Sequence, residues 1–268
     1  MRTRTVALSE LTTIRQKGYA TIALIDNIDD MEMLQEYFLV GGGSNIVVKN
    51  RKSPLAKLSK EFSYIRRSNN TLILGGATPI ISVIRAMLKN ELSCIEFLAG
   101  VPATIGGALR MNAGAFGKSM ADIVEYAIIY SSGKLKSLTA NQLGLAYRRS
   151  RIDGIVVEVA LACKPKSRKD LANEIATNIK KRAQKAHLRN TFGSVFKNPE
   201  GDYAGRLIEE VGLKGYRHNT AMISPKHANF IVSTQLCEVD DILRLMELAK
   251  ERVFKNFSIE LEEEVIIV

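Results

Sequence analysis

An arginine, a serine and a glutamate are the residues of this 268-residue chain whose type and setting suit chemistry on a charged substrate. Arg148 lies in Tyr147-Arg148-Arg149-Ser150-Arg151, and a guanidinium is the side chain that best grips a carboxylate or phosphate with two parallel hydrogen bonds. Read alone, it is equally a member of a solvated charge cluster. Ser194 follows Gly193 in a turn ahead of Phe196-Lys197-Asn198-Pro199, where its hydroxyl could donate to a substrate, although a turn or helix-cap serine fits the same pattern. Glu264 belongs to the acidic run Glu260-Leu-Glu-Glu-Glu264, and such runs commonly form exposed strand edges. Nothing in the chain spells a nucleophile triad, and residue chemistry alone does not join these three.

The elements that would position them centre on two glycine-rich stretches. From Cys94 to Ile123 the chain reads CIEFLAGVPATIGGALRMNAGAFGKSMADI, and a second cluster runs Leu39-Val-Gly41-Gly42-Gly43-Ser44-Asn45-Ile46. So little side chain means that the backbone itself comes close to something, either another backbone or a ligand rich in acceptor oxygens. Two such segments suggest a long phosphate-bearing cofactor held by main-chain N–H groups, with Ser44 and Asn45 adding side-chain donors. Tight turns and close packing explain the same composition without a ligand. The first cluster sits between two strands and lacks GxGxxG spacing, so it is not a Rossmann fingerprint. Gly117-Lys118-Ser119 ends like a P-loop, but Asn112 stands where the motif's first glycine belongs and no apolar strand leads in.

Composition narrows the field. The chain is 46% apolar and 25% charged, ordinary for a soluble protein, and no apolar run is long enough to span a bilayer. The N-terminus has basic residues but no apolar core, so it does not read as a secretion signal and a cytoplasmic location is expected. Cys94, Cys163 and Cys237 are far apart in sequence, which argues for buried thiols over a disulfide framework or zinc site, and the three histidines form no metal-binding pair. The net charge of +10 is scattered rather than striped, which favours small anionic ligands over nucleic acid.

In chain order, strands are expected at Thr21–Ile25, Tyr37–Val40, Ile46–Val48, Tyr64–Arg66 and Thr71–Leu74, and then a helix ending near Asn90, from the spacing of Ile80, Ile84 and Met87 or Leu88. Strands follow at Val124–Tyr130, Lys134–Leu138 and Gly154–Cys163, with the arginine cluster at a strand edge between them. The basic stretch Lys164–Lys169 marks a domain boundary. Beyond it come a helix over Asp170–Ala186, a helix capped by Asp202 and closed by Gly212, strands at Ala221–Ile223 and Asn229–Val232, a helix over Val239–Phe254 and a terminal acidic-apolar strand, Ile259–Val268.

EFLAGVPATIGGALRMNAGAFG resembles the flavin-domain signature of the UDP-N-acetylenolpyruvoylglucosamine reductase (MurB) family, and the resemblance continues in order through TTIRQKGYA, GGGSN, YRRSR, GSVFKNP, AGRLIEEVGLKG, HANFIV and LEEEV. It implies an α+β fold: a two-lobed FAD-binding domain of the vanillyl-alcohol-oxidase (PCMH) type over residues 1–165 and a C-terminal α/β substrate-binding domain over 166–268. It further implies that Gly41, Gly42, Gly43, Ser44, Asn45, Gly106, Gly107, Asn112, Ala113 and Gly114 hold FAD. Neither glycine segment carries a histidine, and no cysteine stands in the first, so the FAD is expected to be non-covalent. By the same resemblance NADPH is the reductant and Arg148 and Glu264 polarise the carboxylate of an enolpyruvyl sugar nucleotide. Ser194 gives the proton that completes its reduction, and Lys185 and Asn198 hold the substrate's nucleotide and phosphates.

The chain departs from the family's usual pattern at Gln16-Lys17, at Ala103 in place of a glycine and at Phe116 in place of a tyrosine. It has no room between Ser150 and Lys185 for a long substrate-covering insertion, which implies the shorter subtype. A monomer binding only small molecules, with neither nucleic acid nor membrane insertion, is the expectation. Another flavin oxidoreductase of the same superfamily, a sugar or lactone oxidase, is the alternative reading, and a basic nucleotide- or nucleic-acid-binding protein without redox chemistry is a third.

Overall fold

Ile155–Ala162 is the strand around which the first half is built, and its burial on both faces explains its almost unbroken apolar sequence. Val159 and Leu161, two apart, enter one core, and a register shift opposite Ile128 and Ile129 brings Val156 into that core as well, while Val157 enters another. The structure, a computed structural model, describes residues 1–34, 36–50, 54–185 and 189–268, with the side chain of Lys185 outside that description. Ile155–Ala162 lies at the centre of a five-stranded antiparallel sheet in the order Lys134–Thr139, Val124–Ser131, Ile155–Ala162, Thr71–Gly75, Ile65–Ser68. The core on one face takes Ile80, Val83, Ile84 and Met87 of the helix Ile80–Asn90, residues three and four apart that form a single stripe.

The core on the other face is shared with a four-stranded sheet in the order Arg2–Ala7, Tyr19–Ile25, Leu55–Leu58, Phe38–Leu39, through Ala23, Ile25, Ala56 and Leu58. Leu55–Leu58 pairs in parallel with both neighbours. It is not among the expected strands, because parallel pairing is made by distant segments and leaves no hairpin signature, and Arg2–Ala7 is not among them either. The expected strand Tyr37–Val40 contracts to Phe38–Leu39.

In the second half, a four-stranded sheet in the order Thr191–Ser194, Phe230–Ser233, Ala221–Ile223, Arg217–His218 shares a core with the helices Ala204–Glu210 and Val239–Phe257. The longer helix contributes Ile242, Leu245, Met246, Ala249 and Val253 at helical spacing. Asp202, expected as the cap of the shorter helix, instead binds Arg206 one turn on and accepts from the Tyr203 N–H, and Tyr203 takes the cap position. The expected ten-residue terminal strand is also shorter: only Ile266–Ile267 forms a ladder, parallel to Ile46–Val47.

By packing, the chain forms two compact units that interleave in sequence: Met1–Arg4, Thr21–Gly42 and Pro54–Lys181 in one, and Thr5–Ala20, Gly43–Ser53 and Arg182–Val268 in the other. This differs from the single boundary near residue 165 read from sequence, because Ile14 and Val47 belong to the core of the C-terminal half. Among the described residues no helix is long and apolar enough to cross a membrane, and no group of three metal-ligating side chains gathers.

Candidate functional site

Four glycines of the first unit, Gly41, Gly76, Gly106 and Gly107, line a cavity of about 250 Å³. Gly41 enters its wall just after the strand Phe38–Leu39, and Gly106, Gly107 and Arg110 enter from the helix Ile105–Arg110. The helix start is fixed in place by the Ile105 N–H on the Thr78 carbonyl and the Gly106 N–H on the Gly76 carbonyl, both at 2.9 Å. Thr104 accepts from the Gly107 N–H as the cap.

Close approach of backbone to backbone accounts for several of the glycines. A Cβ on Gly42 would stand 2.5 Å from the Pro102 carbonyl oxygen, one on Gly106 2.9 Å from that of Gly76, and one on Gly43 1.7 Å from that of Leu11. Gly107 is different, since a Cβ there would meet only the Thr104 hydroxyl, at 3.4 Å. The N–H groups of Gly41 and Gly42 donate to no acceptor among the described residues.

Three cations not singled out in the sequence, Lys57, Lys60 and Arg110, complete the cavity. Lys57 projects from the strand Leu55–Leu58 and has no ion-pair or hydrogen-bond partner among the described residues. Burial, then the charge of Arg4, holds its ammonium below the usual lysine range. Arg110 donates to the carbonyls of Ile152, at 3.2 Å, and Gly154. Open main-chain donors, an uncompensated ammonium and the apolar walls of Leu39, Leu58 and Val156 suit a nucleotide carrying phosphate. The volume lies below the roughly 300–1,000 Å³ of pockets that enclose a whole drug-sized ligand, so this cavity has room for only part of a ligand of that size or larger.

Beyond the helix, Gly114–Ala115 and Lys118–Ser119 form a tight hairpin turned by Phe116 and Gly117, both with positive φ. That is a hairpin and not a strand-loop-helix, so the P-loop-like letters form no P-loop. Asn112, expected at the cofactor, uses both ends of its amide within the unit: Nδ2 donates to the Ala146 carbonyl at 2.9 Å and Oδ1 accepts from the Ala121 N–H at 3.0 Å. It thereby braces the turn in which Ala146 and Arg149 exchange two main-chain hydrogen bonds. Arg148 sits at the bend of that turn, not at a strand edge, with φ of 54°. Its Nη1 donates to the Gly114 carbonyl at 3.2 Å, and its guanidinium lies over the Tyr147 ring. Ala113 is half-buried beside Gly114 and its N–H donates to the Ala108 carbonyl.

In the second unit Ser194 ends the strand Thr191–Ser194, whose pairing with Phe230–Ser233 is irregular where Gly193 takes a φ of 87°. Asn229, buried, fixes the next turn of chain: its Oδ1 accepts from the Phe196 N–H at 2.9 Å, its Nδ2 donates to the Phe196 carbonyl at 2.8 Å, and its carbonyl accepts from the Val195 N–H. Sequence reasoning gave Asn229 no role, because the partner that reveals it is more than thirty residues away. On the other side the Glu264 N–H donates to the Val195 carbonyl at 2.8 Å. Ser194 and Glu264 are therefore brought together, on adjacent stretches one residue out of step. Asn45, expected at the cofactor, anchors the same stretch, with Nδ2 on the Glu264 carbonyl at 2.9 Å and its own carbonyl accepting from Ile266. Ser44 and Gly43 precede it. Asn198 accepts from the Ala204 N–H at 3.2 Å and so satisfies the first main-chain donor of the helix Ala204–Glu210, whose cap position is Tyr203. Lys185 closes the helix Arg168–Lys185, and its side chain lies outside the described residues.

These elements make an α+β flavoprotein fold, an FAD-binding domain of the PCMH type in two lobes with an α/β C-terminal domain. A solved UDP-N-acetylenolpyruvylglucosamine reductase from Thermus caldophilus superposes with a TM-score of 0.87 at 32% identity, covering 100% of this chain and 99% of that one. The profile of the UDP-N-acetylenolpyruvoylglucosamine reductase C-terminal domain matches residues 170–268. UDP-N-acetylenolpyruvoylglucosamine reductase 2 of Symbiobacterium thermophilum is 38% identical, with 85% of this chain and 76% of the relative aligned. The reductase of Halalkalibacterium halodurans is 32% identical, with 97% and 91% aligned. The chain belongs to the UDP-N-acetylenolpyruvoylglucosamine reductase family.

Proposed function

We propose that this chain reduces the enolpyruvyl ether of UDP-N-acetylglucosamine to UDP-N-acetylmuramate, with NADPH as reductant and a non-covalent FAD. The observation that carries the reading is family membership over the whole chain, and the cation-bearing cavity beside Gly41 and Gly107 supports it. Lys57, Arg110 and the open N–H groups of Gly41 and Gly42 would hold the phosphate-bearing part of FAD. The chemistry FAD supplies when bound is hydride transfer, in from NADPH and out to the enolpyruvyl methylene carbon.

The remaining work falls to side chains. Arg148 grips the substrate carboxylate, and the brace from Asn112 keeps its turn in shape for that task. Glu264 shares a proton with the same carboxylate, so that charge gathering there during the reduction is stabilised. Ser194 delivers a proton from its hydroxyl to the carbon next to the carboxylate; hydride and proton together saturate the double bond. Serine is a weak acid, sufficient here because the carbon it protonates is strongly basic. Asn198 and Lys185 hold the nucleotide end.

The test separates the two half-reactions under anaerobic conditions. Ser194→Ala should accept electrons from NADPH at the normal rate, then reoxidise with the enolpyruvyl substrate about 10²–10⁴-fold more slowly, the usual worth of a positioned general acid. An unimpaired second half-reaction removes Ser194 from the role. A purified protein without flavin absorbance sinks the reading as a whole.

A further inference from the structure

Cys94 and Cys163 stand opposite each other across a two-stranded ladder. Lys164–Pro165 pairs antiparallel with Leu92–Ser93 in the register Lys164↔Ser93 and Pro165↔Leu92, and one step further along that register sets Cys163 against Cys94. The Lys166 N–H donates to the Glu91 carbonyl at 2.9 Å. Bonded and unbonded pairs alternate along an antiparallel ladder, so the pair formed by Cys163 and Cys94 is an unbonded one. The Cys163 N–H agrees, turning away from the ladder to the Asn70 carbonyl at 2.8 Å. At unbonded pairs the Cα atoms lie about 4.5 Å apart and the side chains converge, within the roughly 4.4–6.8 Å that a disulfide spans. Both cysteines are free and buried, their side chains interact with each other, and the Cys163 Sγ donates to the Leu161 carbonyl at 3.5 Å.

We propose that Cys94 and Cys163 form a cross-strand dithiol that a hydroperoxide oxidises to a disulfide, a reversible modification site apart from the reductase chemistry. The sulfurs have distinct roles. Interaction with the Cys94 side chain pulls the Cys163 thiol below its usual range against the opposing effect of burial, while the same interaction and burial push Cys94 up. Cys163 also lies next to the exposed Lys164–Pro165. Its thiolate attacks the peroxide oxygen, breaks the O–O bond and becomes a sulfenic acid as an alcohol or water leaves. The Cys94 sulfur then attacks the Cys163 sulfur, the S–S bond forms as the S–O bond breaks, and the hydroxyl leaves with the Cys94 proton as water. Two thiols thus lose two electrons and two protons to one hydroperoxide, and exchange with an added dithiol reverses the change. The bridge would tie Cys94, at the head of the segment leading to Gly106 and Gly107, to the end of the strand Ile155–Ala162. Cys237, in the other unit, provides an internal control, with burial pushing its thiol up to about 11.

The experiment exposes the native full-length chain to hydrogen peroxide, then unfolds it and counts thiols. The three thiols of the sequence should fall to one, and digestion without reductant should yield a single linked peptide pair containing Cys94 and Cys163, released by dithiothreitol. Cys94→Ser should abolish the link yet leave a sulfenic acid at Cys163 that a cyclic 1,3-dione traps, whereas Cys163→Ser should give neither. Three surviving thiols in the wild-type chain, a link that includes Cys237, or loss of thiols without any link would each overturn the proposal.

Discussion

At the scale of single residues, Lys57 is the clearest consequence of burial without compensation. A lysine in a partly dry cavity with no carboxylate beside it is less ready to hold its proton, and its pKa is held down accordingly. A folded-state pKa below the unfolded one means that the unfolded chain binds more protons. The cost of this residue is therefore felt at neutral pH and relieved as pH rises through the lowered value. A phosphate at the ammonium reverses the balance by favouring the charged form. Flavin binding should then take up a proton on the alkaline side, and affinity should fall as pH passes through the depressed pKa of Lys57. Lys57→Met keeps the packing of the stem and removes the charge. Its dissociation constant for FAD should rise about ten- to a hundredfold, since a hydrogen bond to a charged group contributes about 1.5–3 kcal/mol. Fluorescence titration of the apoprotein over pH measures both effects, and a flat pH profile with unchanged affinity would move the phosphate elsewhere. Neither Lys57 nor Asn229 was legible, for their neighbours in sequence resemble any strand or loop. Ser194, Glu264 and Arg148 were legible as candidates because their types are chemical, although the resemblance, not the residues, linked them.

At the scale of elements, the glycine segments were visible in the sequence, but their two causes were not separable there. The helix Ile105–Arg110 contains one glycine of each kind side by side. Gly106 presses on the Gly76 carbonyl, so Gly106→Ala should strain the helix against the segment that holds its start. Gly107 faces open cavity, and alanine in a helix is worth up to about 1 kcal/mol over glycine. Gly107→Ala should therefore leave the melting temperature unchanged or raised while weakening FAD binding, because the added methyl stands where the ligand would lie. Gly106→Ala should lower stability first, by about 1–3 kcal/mol, the usual cost of overpacking. Differential scanning calorimetry of the apoproteins beside flavin titration distinguishes the pair; equal behaviour of the two variants would remove the distinction between packing and lining. The helices Ile80–Asn90 and Val239–Phe257 were readable from periodicity because each buries one stripe on its own. The strand Leu55–Leu58 escaped because both its partners lie well before it in sequence and pair in parallel.

At the scale of the molecule, chain order and packing order differ, and sequence reading sees only the first. A boundary near residue 165 follows from the basic break at Lys164–Lys169, and the family's C-terminal profile begins close by, at residue 170. Yet the core of the C-terminal half includes Ile14 and Val47, the parallel partner of Ile266–Ile267 is Ile46–Val47, and the Lys49 N–H donates to the Val268 carbonyl at 2.7 Å. The side chain of Gln16 adds a further tie by accepting from the Val48 N–H at 3.0 Å. A fragment of residues 166–268 lacks all of these: it would expose the apolar surface that Ile14 and Val47 cover and leave the main chain of its last strand unpaired. Small domains retain only about 5–15 kcal/mol of net stability, and losing two buried aliphatic contacts at about 2–5 kcal/mol each removes much of that. The fragment should therefore show no cooperative unfolding transition in urea and should bind a hydrophobic dye, while the full chain unfolds cooperatively without dye binding beforehand. A sharp transition in the isolated fragment would restore the sequence boundary and make the N-terminal stretches accessories to a unit already complete.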